Sequence, residues 1–273
     1  MKFALIDEIR VEAFKGAKGI CPVCSSNLIA KCGETKINHW AHKSIRKCDS
    51  WWEPETEWHR SWKNNFPDKW QEFVFSDKLT GEKHIADICT SDNLVVEFQH
   101  SHIDPLERSS RERFYKNMVW VVDCMRLKRD YPRFLKGRNN FRNTNRQGIF
   151  FAEFLFLDEC FPSAWLNSPV PVIFDFKCIE LSGKLPETTN YLYCLFPLRI
   201  GSDAVIAEIS RKAFINTISS GEWQLRAANF MDQLKLEEKE RKKQFAELER
   251  LQASINSAIF MRSLLQKKRH RRF

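Results

Sequence analysis

KHIADICTSDNLVVEFQHS, residues 83–101, decides the fold. The alternation of apolar and polar residues predicts two β-strands, His84 to Thr90 and Leu94 to His100, reversed through Ser91, Asp92 and Asn93. Side chains alternate faces along a strand, so Asp87 shares a face with Ile85 and Cys89, and Glu97 with Val95 and Gln99. A reversal centred on Asp92 sets Asp87 opposite Glu97. At roughly 5 Å and an effective dielectric of about 20, their repulsion is on the order of 3 kcal/mol, about two pKa units. A shared proton, a neighbouring lysine or arginine, or a divalent cation with oxygen ligands offsets it; on an exposed face, water does.

Outward from this hairpin the chain alternates helices and strands. Upstream, WWEPETEWH (51–59) starts a helix running to about Asn65, with Pro54 in its first turn and Pro67 closing it. Glu55, His59 and Lys63 then fall on one face, and Trp58 and Trp62 form a core-facing stripe beside it. WQEFVFS (70–76) alternates as a third strand. Downstream, Asp104-Pro105-Leu106-Glu107 caps a helix carrying Arg108, Arg111 and Arg113, where a pair one turn apart suits a phosphate or simply water. MVWVV (118–122) is apolar on both faces, as a buried parallel strand is.

The N-terminal stretch FALIDEIRVEAFKGAKG reads as one alternating β segment ending at Gly16 and Gly19. Cys21-Pro22-Val23-Cys24 follows, and His39-Trp40-Ala41-His42 after a turn at Gly33-Glu34. Two thiolates and two imidazoles make a closed Cys2His2 zinc site, structural in kind, through Cys21, Cys24, His39 and His42. The histidine spacing is tighter than the roughly three to five residues of a helical finger, and Cys32 or Cys48 could replace a histidine. The alternative is a metal-free hairpin with two buried thiols.

The strings CPVC, NHWAH, PETEWHRSWKNNFP, HIADICT, VVEFQHS and FYKNMVWVVD, in that order, together resemble the CoiA-like competence nucleases. Those combine a Cys-x-x-Cys…His-x-x-His element with the αβββαβ core of the PD-(D/E)XK superfamily. The resemblance implies an α/β fold of restriction-endonuclease type, with an N-terminal zinc-binding β element and a long C-terminal helix. It implies a Mg2+- or Mn2+-dependent deoxyribonuclease in which Asp87 and Glu97 hold the ion. A helix acid joins them, Glu57 first and Glu55 second, with His59 near the phosphate. Gln99 stands where a lysine is usual; it would hydrogen-bond the attacking water without supplying charge, and Lys63 and Lys83 are the available stand-ins. A nuclease-fold protein that holds DNA without cutting is the rival expectation.

Beyond Asp123 the sequence pattern is less regular. Lys136 to Gln147 reads as a basic loop, 149–157, 170–176 and 191–196 as strands extending or flanking the sheet, and 182–190 as turn-rich. Cys160, Cys178 and Cys194 read as packing residues. From Gly221 to about Lys268 the pattern is one long helix with a broken apolar stripe, fit to pair with a second copy or a protein partner. The expected division is 1–50, 51–135, 136–220 and 221–273.

The net charge of +9 is uneven: Arg126 to Arg146 holds eight Lys or Arg against Asp130, and residues 262–273 hold six with no acid, ending in KKRHRRF. This favours a polyanion, DNA first, with Lys63, Arg108, Arg111, Arg138 and Arg142 as candidate contacts. Nine cysteines without a short-scaffold rhythm suit reduced thiols. The early charges of the first residues do not suit a secretory signal, and no run of about 18 apolar residues occurs, so a cytoplasmic protein without membrane spans is expected.

Overall fold

The computed structural model describes residues 1–34, 36–43, 48–77, 81–176 and 191–270, with side chains described to residue 262. The expected turns at 182–190, Cys178 and the side chains of the basic tail lie outside these. The chain divides into two compact units, Met1–Gln224 and Leu225–Phe273. Among the described residues no helix is long and apolar enough to cross a membrane.

The first unit holds two sheets. β1 (Phe3–Ile6), β2 (Ile9–Glu12), β3 (Lys18–Ile20), β4 (Asn27–Lys31) and β5 (His39–His42) form an antiparallel sheet in the order β2-β1-β3-β4-β5. The single β segment expected at the N-terminus is therefore a hairpin. Asp7 and Glu8 turn it with φ of 48° and 66°, and a two-residue turn leaves the alternation of the flanking residues unbroken, which hides it from a periodicity argument. Gly19 lies inside β3 because Ala4 and Trp40 press against it: a Cβ there would sit 2.9 Å from the Ala4 methyl.

The second sheet contains the αβββαβ order. α1 (Glu57–Lys63) precedes β6 (Gln71–Ser76), β7 (Lys83–Cys89) and β8 (Val95–Gln99), an antiparallel meander; α2 (Pro105–Tyr115) then crosses to β9 (Met118–Asp123), parallel to β8. α3 (Asp130–Gly137) leads into β10 (Arg142–Asn143) and β11 (Ile149–Glu153), followed by β12 (Val172–Asp175), β13 (Tyr191–Ile200) and β14 (Asp203–Ser210). All nine strands form one sheet, β10-β11-β14-β13-β12-β9-β8-β7-β6, so the later strands extend the meander rather than flank it. β8, β9 and β12 are buried along nearly their whole length, as parallel strands covered on both faces are. The helix α4 (Arg211–Ser219) closes the unit, capped by Ser210.

α1 begins later than its sequence suggests. Thr56 is its N-cap, in a reciprocal pair with His59, so Pro54 and Glu55 lie in the extended lead-in and not on the helix. Two indole N–H groups pin α1 to the end of β12: Trp58 Nε1 and Trp62 Nε1 each donate to Asp175 Oδ2 at 3.0 Å. Cys160 and Cys194 are buried in the core, as expected. The second unit consists of the greater part of α5 (Trp223–His270), which exposes Phe245, Leu248, Leu251, Ile255 and Ile259.

Candidate functional site

The β7–β8 register pairs Ile88 with Val96 and Cys89 with Val95, which sets Asp87 opposite Glu97. There the backbone ladder gives way to side chains. The Asp87 N–H donates to Glu97 Oε1 at 3.1 Å, and the Phe98 N–H donates to Asp87 Oδ2 at 2.9 Å. Both carboxylates line a small cavity of about 60 Å³, together with Asp49, Glu53, Glu55 and Glu72. Facing them are Lys63 and Arg111.

Lys63 is the hub. Its Nζ lies 3.0 Å from Asp87 Oδ1 and 3.4 Å from both Glu55 Oε1 and Glu72 Oε1. Burial works against its charge, but Asp87, Glu72 and Glu55 outweigh it and hold the ammonium above the ordinary lysine range. Burial likewise raises Glu55, yet Lys63 and the Arg60 hydrogen bond bring it down to about 2. Glu72 reaches the cavity through a left-handed backbone, φ 47°, and its oxygens accept the Lys2 and Phe3 N–H groups, tying β1 to the core.

Glu97 behaves differently. Arg111 Nη1 approaches its Oε2 at 3.1 Å, but burial, reinforced by the charge of Asp87, pushes the carboxyl up to about 8. At neutral pH this site therefore holds a proton or requires a further cation.

Residues 49–56 form one wall. Asp49 accepts from Ile85 N–H and Trp51 N–H, both at 2.9 Å, and meets His84 Nδ1 at 2.9 Å. Glu53 accepts from His59 Nε2 at 2.6 Å, Gln99 Nε2 at 3.1 Å and the N–H groups of His100 and Ser101. Burial raises Glu53, and the His59 hydrogen bond and charge more than offset it, to about 2.

Several expected roles need correcting. Glu57 is exposed and outside the cavity; Glu55, the second choice, lines it. Gln99 is buried but is not among the lining residues, its amide donating to Glu53 and to the Ser101 carbonyl. His59 has both nitrogens occupied, by Glu53 and Thr56. Arg108 and Arg111 are buried, not surface contacts: Arg108 binds the Ala164 carbonyl and Glu112, and Arg111 binds Glu97, Glu107 and the Trp51 carbonyl. Lys63 is equally enclosed, and Lys83 is exposed. Arg138 bridges to Glu208 at 2.8 Å and Arg142 pairs with Asp203, so both belong to ordered structure and not to a free loop. No spacing rule singled out Asp49, Glu53 or Glu72; each is an isolated acid brought in by tertiary structure.

In the N-terminal sheet, Cys21, Cys24, His42 and Cys48 bring their donor atoms within 4.8 Å of one another. Cys21 Sγ to Cys48 Sγ is 3.7 Å and Cys24 Sγ to His42 Nε2 is 3.3 Å. A tetrahedral ion at about 2.3 Å from sulfur requires S···S separations near 3.8 Å, so this three-thiol, one-imidazole set fits zinc. The Cys21–Cys48 contact lowers the Cys21 thiol and raises that of Cys48, so the two share one proton that an entering cation would displace. His39 lies outside this cluster. Histidines three apart on one strand face opposite sides; His42 shares a face with the core residue Trp40, while His39 Nδ1 bonds the Ile37 carbonyl. Cys48 takes its place, and Cys32 sits with His39 around a separate surface hollow.

Residues 6–50 match the family model for the competence protein CoiA, N-terminal domain. The match takes in all four donor residues and Asp49, and stops short of the β7–β8 hairpin. No curated protein and no solved structure matches the chain.

Proposed function

We propose that the chain is a metal-dependent deoxyribonuclease with a PD-(D/E)XK-type core, acting on DNA in competence or a related process. What carries the reading is the convergence of Asp87 and Glu97, from neighbouring strands of the αβββαβ segment, on one acid-lined cavity. The CoiA-type match at residues 6–50 supports the competence setting. Six carboxylates against Lys63 and Arg111 suit a hard divalent cation, with Asp87, Glu97 and Glu55 as its holders. Mg2+ or Mn2+ there would polarise a scissile phosphate and acidify a bound water. Lys63 supplies the fixed positive charge that Gln99 lacks, and Arg111 keeps the Glu97 side chain aimed into the cavity. Of the candidate contacts, Arg142, whose side chain stays largely exposed beside its partner Asp203, is the one still suited to a DNA backbone, whereas Arg138 is spent on Glu208.

The test is cleavage of plasmid and single-stranded DNA with Mg2+ or Mn2+ by the wild type, Asp87→Ala and Glu97→Ala. Loss of several kcal/mol of charge stabilisation predicts a fall of about 100- to 1,000-fold in each variant. Equal cleavage by all three rejects the assignment. The pairing of Asp87 with Lys63 and of Glu97 with Arg111 favours a second reading, a nuclease-fold protein that binds DNA without cutting. DNA affinity that survives EDTA and Asp87→Ala, with no cleavage under either metal, selects it.

The state of Glu97 gives a separate check. Its carboxyl is raised to about 8, so the bound proton contributes stability that is complete below the ordinary range near 4.5 and is lost as pH rises through 8. A cation entering at neutral pH must displace that proton. Calorimetry in buffers of different ionisation enthalpy is expected to show about one proton released per Mn2+ bound, with affinity rising from pH 6 to 8. Glu97→Gln should abolish the release; undiminished release in that variant would place the ion elsewhere.

A further inference from the structure

Among the described residues one histidine, His59, lines the cavity and two more bond to its lining acids, His84 to Asp49 and His100 through its N–H to Glu53; only His100 keeps a ring nitrogen available for chemistry. His59 spends Nε2 on Glu53 and Nδ1 on Thr56. His84 spends Nδ1 on Asp49 and Nε2 on Glu82. His100 is different: its Nδ1 meets Asp123 Oδ2 at 2.7 Å, and its Nε2 has no partner among the described residues. The Asp123 carboxylate is itself fixed, since its Oδ1 accepts the Met125 N–H at 2.8 Å. Asp123 is nearly buried while the His100 side chain is 30 % exposed, so the pair is anchored at one end and open at the other. A carboxylate on Nδ1 fixes the orientation of the ring and leaves Nε2 as its free end.

The placement favours a substrate. His100 follows the last residue of β8 and Asp123 is the last residue of β9, two parallel neighbours whose carboxyl ends lie together. Ligands of α/β sheets bind at such ends. His100 also adjoins the acid cavity: its N–H donates to Glu53 Oε1 at 3.3 Å, and its ring centre lies 5.8 Å from that of His59, another lining residue. The indole of Trp58, its centre 6.2 Å from the His100 ring and 5.2 Å from that of His59, packs beside the same pair.

Resting on the hydrolase reading, we infer that His100 is the general acid of the reaction, with Asp123 as its positioning residue. Hydrolysis forms a bond from the water oxygen to phosphorus and breaks the bond from phosphorus to a sugar oxygen, which leaves as an alkoxide. The Nε2 proton of the His100 imidazolium passes to that oxygen and gives the sugar hydroxyl. The attacking water releases its proton to solvent, and His100 regains one from solvent. Asp123 keeps its contact with Nδ1 throughout and holds the ring.

The experiment changes the leaving atom. An oligonucleotide with one ordinary phosphodiester is compared with the same strand carrying a bridging sulfur at that bond, as the 3′- and the 5′-phosphorothiolate, in the presence of Mn2+. A thiolate leaves without a proton. His100→Ala and His100→Gln are expected to cut the ordinary bond about 100-fold or more slowly, and the sulfur-bridged bond within about threefold of the wild type. Asp123→Asn should follow the same pattern more weakly, with unfolding temperatures of all three near that of the wild type. Equal slowing on both substrates, as misfolding or a binding defect gives, overturns the inference, as does unchanged cleavage of the ordinary bond. Failure of the hydrolase reading looks different: the wild type is then inert on both substrates, and the inference falls with it.

Discussion

Lys63→Met is expected to destabilise the first unit by about 3–5 kcal/mol at neutral pH, the cost of stranding buried charges by removing their partner. Lys63 and its partners Glu55 and Glu72 are each less than a tenth exposed, so water cannot replace the ammonium. The pH dependence has a definite sign. Glu55 is held at about 2 and Glu72 below its ordinary value. Depressed carboxyls contribute stability that is present above about 4.5 and lost as pH falls through the folded value. The variant lacks this contribution, so its deficit should be greatest at pH 6–7 and shrink on acidification from about 4.5 towards 2. Urea unfolding at pH 7 and pH 3 measures both. A deficit under about 0.5 kcal/mol at pH 7 is the signature of an ordinary surface lysine and would reject the buried-hub account. Added Mn2+ should recover part of the loss in the variant, because an ion can occupy the charge position that the ammonium vacates.

The same buried network explains which parts of the site were legible in the chain. Asp87 and Glu97 were, because alternation fixes their faces and the turn at Asn93, with φ 60°, fixes the register. Cys21 and Cys24 were, because their spacing is a chelating one. Cys48 was legible only as one of two spare thiols, beside Cys32, because no local spacing marks it; the folded chain is what brings it 3.7 Å from Cys21. Strand periodicity could have excluded His39, since positions 39 and 42 cannot share a face.

Asp49, Glu53 and Glu72 were beyond pattern: single acids in irregular or strained backbone, selected by what lies across from them. Arg108 and Arg111 misled for the opposite reason, since arginines on a capped helix look solvated until the helix is packed over Glu97. In the C-terminal part of the first unit, β14 was missed although Gly201-Ser202 is a two-residue hairpin signal between apolar runs, with Gly201 at φ 61°. That hairpin completes the sheet and supplies Asp203 and Glu208, which order the basic stretch expected to be a loop.

Purified protein is expected to carry about one zinc, and Cys48→Ser or His42→Ala should abolish retention while His39→Ala and Cys32→Ser leave it intact. Structural zinc contributes about 10–16 kcal/mol of apparent binding in small zinc peptides, and the five-stranded sheet has a modest core around Ala4, Leu28 and Trp40. Loss of the ion should therefore unfold that sheet well below the unfolding temperature of the loaded protein. The consequence extends to the acid cavity, because Cys48 and Asp49 are adjacent. Ligation at Cys48 fixes the chain from which Asp49 caps Ile85 and Trp51, the Trp51 carbonyl receives Arg111, and Glu53 receives His59. Hydrogen exchange can separate the two levels. Chelation should speed exchange first at the β3–β5 amides and then at the N–H groups of Ile85 and Trp51, with the amides of β9 unchanged. If Ile85 and Trp51 keep their protection after the zinc is gone, the metal element and the acid cavity are energetically independent, and the wall formed by residues 49–56 must be held by α1 and α2 alone.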